Sequence, residues 1–147
     1  MKTTMEKTLA ILDLCEKYYN KKTFKHCRRV AQYVIDNPVV QSRDLSYKEQ
    51  AFIVAMCHDL LEDTECSIEE IAAASELSHT FLERTLIPLT KNPEEDYISY
   101  IKRLKLPQTS ELSYLVKLAD MKDHLSQTDT LSEKLKAKYW EALPILL

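Results

Sequence analysis

The sequence predicts an all-α fold, a single compact bundle of about seven to eight helices, and three observations carry that expectation. No glycine occurs in the 147 residues, whereas hairpins and phosphate-cradling loops lean on glycine for their backbone angles. Helix starts are marked repeatedly by a hydroxyl residue with Glu three positions later: Ser46 with Glu49, Ser67 with Glu70 and Thr130 with Glu133 all read as capping boxes. The stretch Ala51–Cys57 is apolar on every side, the mark of a helix that runs through the middle of a protein.

Taken in order, apolar periodicity and end signals predict helices near 4–20, 23–36, 46–62, 67–75, 78–89, 93–105, 110–126 and 130–142. Asn92-Pro93-Glu94-Glu95 supplies a cap, a proline at the first helical position and two acids in the first turn. Asn37-Pro38, Pro107 and Pro144 are stops, and Pro88 ends or kinks the fifth helix. Phe24, Cys27, Val30, Ala31 and Val34 form the inward stripe of the second helix, with His26 at its edge. Leu112, Leu115, Val116 and Ala119 do the same late in the chain, where Asp120 borders the stripe and Asp123 falls inside it. Acids on a buried face need partners. Tyr97 and Tyr100 read as core packing or as cleft donors, His79 as a surface residue, and Trp140 with Tyr139 as a core anchor of the last helix.

Composition narrows the function classes. A hydrophobic fraction of 45% and a charged fraction of 29% are those of an ordinary soluble domain, and the length suits one domain rather than two. A net charge of −3 offers no basic field for a nucleic-acid polymer. Lys21, Lys22, Lys25, Arg28 and Arg29 do cluster around His26, as a solvated face or as a handle for a small phosphorylated ligand. Cys15, Cys27, Cys57 and Cys66 show no CxxC pairing, so packed thiols are expected rather than a structural zinc site. With no signal peptide and no membrane-length apolar run, the chain reads as cytoplasmic and not membrane-bound.

The chemistry-bearing feature is where the apolar run ends, in His58-Asp59-Leu60-Leu61-Glu62-Asp63. Helical spacing stacks His58 over Glu62 and Asp59 over Asp63, and ionisable groups at a buried end need compensation. His26, His58, Asp59 and Asp120, from three separate helices, are the candidates for one metal site. Two imidazoles and two carboxylates suit Mn²⁺ best, with Fe²⁺, Co²⁺ or Zn²⁺ as other occupants.

The ordered set His26, His58-Asp59, Asp120 resembles the H…HD…D pattern of the HD-domain superfamily of metal-dependent phosphohydrolases. Within it, His58-Asp59-Leu60-Leu61-Glu62-Asp63-Thr64 is similar to the HDxxEDT signature of Rel/SpoT-type hydrolase domains and their small stand-alone relatives. Val116-Lys117-Leu118-Ala119-Asp120 is similar to the VKLAD element, and Leu89-Thr90-Lys91 to a short threonine-lysine element between them. The resemblance covers about residues 23–125. It implies an HD-domain helical bundle, the four metal ligands above, Glu62 and Asp63 as a catalytic acid pair, and a nucleotide-type substrate, above all a guanosine 3′-pyrophosphate. Lys25, Lys91 and His124 are expected substrate contacts. Two departures stand out: Lys21-Lys22-Thr23-Phe24-Lys25-His26-Cys27 replaces the family's glycine- and proline-containing approach, and His124 replaces an asparagine. Two alternatives stay open, a nucleotide phosphomonoesterase of the same superfamily and a metal- or nucleotide-binding regulator without turnover.

Overall fold

The computed structural model describes residues 1–127 and 131–147, and it is all-helical, with no strand among the described residues. The chain runs through α1 (Thr4–Tyr18), α2 (Lys21–Asp36), α3 (Pro38–Gln41), α4 (Leu45–Cys57), α5 (Leu60–Asp63), α6 (Ile68–Ser75) and α7 (His79–Leu86). A 3₁₀ turn (Ile87–Leu89), α8 (Tyr97–Arg103), α9 (Glu111–Ser126) and α10 (Glu133–Leu146) complete it.

Helix α4 is the axis. From Ala51 to Cys57 every residue except Phe52 is buried, as its uniform apolarity demands. Helix α2 packs most extensively against α4 and then against α9, while α1 lies on α6 and α4, and α10 covers α9 and α8. Cys27, Val30, Ala31 and Val34 of α2 meet Ala51, Val54 and Ala55 of α4 in one continuous core, with Phe24 half-buried at its rim. All four cysteines are free and buried.

Several local expectations are corrected. Asp44, not Ser46, caps α4 by accepting from the Tyr47 N–H, and Glu49 pairs instead with Lys7 at 3.2 Å. Asn92–Glu95 forms a turn rather than a helix start, because the Glu95 carboxylate accepts from the Asn92 N–H and grips Arg103; Asp96 caps α8. Pro144 does not stop α10. It sits in the last turn, where proline's missing N–H removes a single ladder bond. Trp140 is 58% exposed; its neighbour Tyr139 takes the inward face, and one residue further is about 100° around the helix. Thr130 lies outside the described residues, and α10 begins under a cap from Ser132. The Thr3 and Ser67 capping boxes are both formed, α2 ends before Asn37-Pro38, α7 gives way at Pro88, and His79 is exposed.

The most consequential difference is that the helix expected over 46–62 breaks after Cys57, with His58 and Asp59 in the turn before α5. The Ala55 carbonyl accepts from His58 Nδ1 at 2.6 Å, and the Met56 carbonyl accepts from the Tyr19 hydroxyl at 2.8 Å and the Cys15 thiol at 3.6 Å. Side chains thus take over carbonyls that a broken ladder would leave without donors.

Replacing Ile53, which is fully buried in α4, with Ala is expected to lower unfolding stability by about 2–5 kcal/mol. Urea denaturation at constant m-value checks it.

Candidate metal centre

The break in α4 turns His58 and Asp59 towards α2 and α9, which carry His26 and Asp120. One ligand-type atom from each of these four side chains lies within 4.8 Å of every other. Asp120 Oδ1 is 2.7 Å from His26 Nε2 and 3.2 Å from His58 Nε2, and Asp59 Oδ2 is 3.4 Å from His58 Nε2 and 3.9 Å from His26 Nε2. Bonds of about 2.1 Å at right angles give ligand–ligand edges of about 3 Å, so the donor set fits a shared ion.

The rings are also oriented for that task. The Ala55 carbonyl can only accept, so His58 Nδ1 carries the proton and leaves Nε2 facing the centre. Asp123 does the same for His26, taking its Nδ1–H at 2.6 Å, and Arg29 clamps Asp123 with bonds of 2.7 and 3.0 Å. Outer carboxylates and carbonyls that fix the far nitrogen of a histidine are the usual support of metal-ligating imidazoles. The Cys27 thiol points at Asp59 Oδ2 from 3.7 Å. Arg29 and His26 supply the partners that Asp123, a buried acid on α9, required.

Burial works against the charge of Asp120, but Lys117, whose Nζ lies 2.9 Å away, together with the surrounding imidazoles, holds its carboxyl well below the usual range. Burial likewise opposes the imidazolium forms of His26 and His58. Asp120 outweighs it for His26, and Asp59 leads the opposing charges for His58, so both pKa values are raised.

Around this centre opens a cavity of ≈ 410 Å³ whose lining mixes carboxylates with amines. Glu62 and Asp63 line it, and the Asp63 N–H donates to the Asp59 carbonyl at 2.9 Å, one helical turn away. Glu62 Oε2 accepts from the Lys91 N–H at 2.7 Å. Burial first, and the nearby charges of Asp59 and Glu62 next, push the Asp63 carboxyl up to about 6.

Of the expected substrate contacts, Lys91 and His124 line this cavity and Lys25 does not. Lys25 is one residue before His26 and faces a neighbouring groove, whereas Lys22, one turn earlier on the face of His26, takes its place. The His124 ring stacks between His26 and Tyr139, at centroid distances of 4.5 and 4.6 Å, with Nε2 3.3 Å from Asp120 Oδ1. Tyr97 and Tyr100 line the wall while packing into the core, which unites the two readings of them. Lys138 and the cavity role of Tyr139 were not foreseen, since their distance from the motifs is bridged only by α10 folding over α9. Lys117 was within reach, being three residues before Asp120 on one helix. Comparison with known proteins identifies no relative: no family model, no curated protein and no solved structure matches the chain.

Because imidazolium must lose a proton before it can ligate, and both imidazoles are held above the ordinary value of about 6.5, Mn²⁺ binding is expected to release protons and to tighten as pH rises above about 6.5. Thermal unfolding of metal-stripped protein, repeated with millimolar Mn²⁺, should show an upward shift that grows over this range and vanishes in Asp120→Ala. A shift of the same size in Asp120→Ala contradicts the assignment.

Proposed function

We propose that the chain is an HD-domain-type metal-dependent phosphohydrolase that cleaves a phosphoester or pyrophosphate bond in a small nucleotide-type substrate. A guanosine 3′,5′-bis(diphosphate) 3′-pyrophosphohydrolase is the most specific form of that reading. The observation that carries it is the meeting, in one cavity, of a His₂Asp₂ donor set with two further carboxylates and several lysines. Phosphoester hydrolysis needs charge neutralisation at the phosphoryl oxygens, an acceptor for the proton of the attacking water, and a dry enough wall to hold both.

His26, His58, Asp59 and Asp120 would hold the divalent ion, with Mn²⁺ favoured by the mixed imidazole–carboxylate set. When bound, such an ion acidifies water and polarises a phosphoryl oxygen. The remaining residues divide the other tasks. Asp63, with its carboxyl near 6, is a carboxylate in most molecules at neutral pH and is basic enough to receive the proton of water. Glu62 is held at the cavity wall by the Lys91 N–H, and would assist Asp63 in positioning the attacking water. Lys91, Lys117 and Lys138 meet the negative charge of the substrate. Tyr139 and His124 present flat rings beside them, and the enclosed volume lies within the range of sites that bury a small ligand.

Incubating the Mn²⁺-supplemented protein with a nucleotide panel that includes 3′-pyrophosphorylated guanosine is expected to release pyrophosphate rather than orthophosphate. No release from any member overturns the reading.

Asp63→Asn is expected to cut turnover by roughly 10²–10⁴-fold while leaving the Mn²⁺ titration nearly unchanged. A base with its pKa near 6 must be deprotonated to act, so the wild-type rate should rise with pH through about 6 and that limb should disappear in the variant. Rate–pH profiles of both proteins, beside a metal titration, separate a proton acceptor from a ligand.

A further inference from the structure

Helix α10 sends Lys138 into the cavity, where its Nζ lies 4.1 Å from the centroid of the Tyr97 ring and 5.7 Å from that of Tyr139. Lys117 Nζ approaches the same Tyr97 ring from 5.7 Å and Tyr100 from 5.0 Å. These amines are not equivalent. Lys117 is paired with Asp120. Among the described residues, Lys138 has no carboxylate oxygen within 4.0 Å, and Lys91 gives its ammonium only to the Asn92 carbonyl at 3.0 Å. Burial first, and the like charges of Lys117 and Lys91 next, lower the pKa of Lys138. A half-buried lysine resting on aromatic faces beside two other cations is short of an anion. The nearby Tyr97 hydroxyl is buried without a hydrogen-bond partner, so a donor at this wall is also left unmet.

Resting on the phosphohydrolase reading, we propose that Lys138, together with Lys91, forms a subsite for the outer phosphate of a pyrophosphoryl group, so that the cavity takes a diphosphate in preference to a single phosphate. The His₂Asp₂ cluster and Lys117 lie together at Asp120 and serve the phosphorus under attack. Lys91, from the loop before α8, and Lys138, from α10, stand beyond it and serve a second anionic centre attached to the first. Lysine suits this position because its ammonium acts as a point charge on phosphate oxygens and needs no bidentate geometry. The alternative role for Lys138 is packing alone, its methylenes covering Tyr97 and its head turned to solvent.

Calorimetric titration of inorganic pyrophosphate, and separately of orthophosphate, into protein carrying one equivalent of Mn²⁺ distinguishes the two. Lys138→Met keeps an unbranched chain on Tyr97 and removes the charge, and Lys138→Arg keeps the charge. The expected result is a pyrophosphate Kd weakened about 10-fold or more in Lys138→Met, largely recovered in Lys138→Arg, with orthophosphate binding and the Mn²⁺ midpoint changed far less. Equal pyrophosphate affinity in wild type and Lys138→Met, or equal losses for both anions, overturns the subsite. So does a Mn²⁺-loaded wild type that does not bind pyrophosphate. The readout is equilibrium binding, so it stands apart from turnover. A protein that hydrolyses nucleotides but binds pyrophosphate independently of Lys138 keeps the proposed activity and loses this subsite. One that binds pyrophosphate through Lys138 and turns over nothing loses the activity alone.

Discussion

The structure depends on a single buried carboxylate. Asp120 sits where α2, α9 and the end of α4 converge, and its two oxygens face His26, His58, His124 and Lys117 at 2.7–3.3 Å. An unpaired charge at that depth is very costly, and removing one member of a buried ionic set leaves the others uncompensated. The three helices are therefore constrained together by electrostatics as well as by the apolar contacts between α2 and α4. The cluster also fixes register: sliding α9 by one residue would swing Asp120 about 100° away from both imidazoles and put an aliphatic side chain in its place.

The break after Cys57 follows from the same demand. A continuous helix would have placed Asp59 about 100° around α4 from His58. By ending the ladder, the chain lets adjacent residues face one centre, and Tyr19, Cys15 and His58 itself absorb the carbonyls that the break frees. His58 is thus both part of the cluster and part of the cap that makes the cluster feasible. Tyr19, in the short connection between α1 and α2, belongs to the site's support although it lies far in sequence from the break it caps.

What was legible in the sequence, and what was not, divides along the range of the interactions. Periodicity and caps are local, so the helices at α1, α2, α6 and α9 were readable to within a few residues, as was the burial of Ala51–Cys57. The gathering of His26, His58, Asp59 and Asp120 was readable because each sits at the buried edge of an amphipathic or apolar segment with no other reason to be there. The break at His58 was not readable, since its compensation comes from Tyr19 and Cys15, some forty residues away in the chain. Neither was the placement of Lys22 over Lys25, or of Tyr139 over Trp140; in both cases neighbouring residues on one helix compete for the inward face, and only the packed partner decides. The resemblance that suggested a phosphohydrolase rests on short motifs, and the function drawn from it is a proposal supported by the site.

The energetic arrangement of the centre bears on what an ion would do there. The hydrophobic core from Ile11 to Leu146 is continuous without the His₂Asp₂ cluster, and the carboxylates of Asp120 and Asp59 hold the pKa values of its two imidazoles up. Small zinc modules have neither resource and unfold when stripped. An ion entering this site would displace protons from an already folded arrangement, with His26 and His58 already aimed by Asp123 and Ala55. Such an exchange adds stability by mass action, and the oriented imidazoles, the acid pair and the lysine wall frame the same cavity. Preorganisation of this kind is what electrostatic catalysis asks of a protein: groups aimed in advance at the charge that will develop, with little left to rearrange when it does.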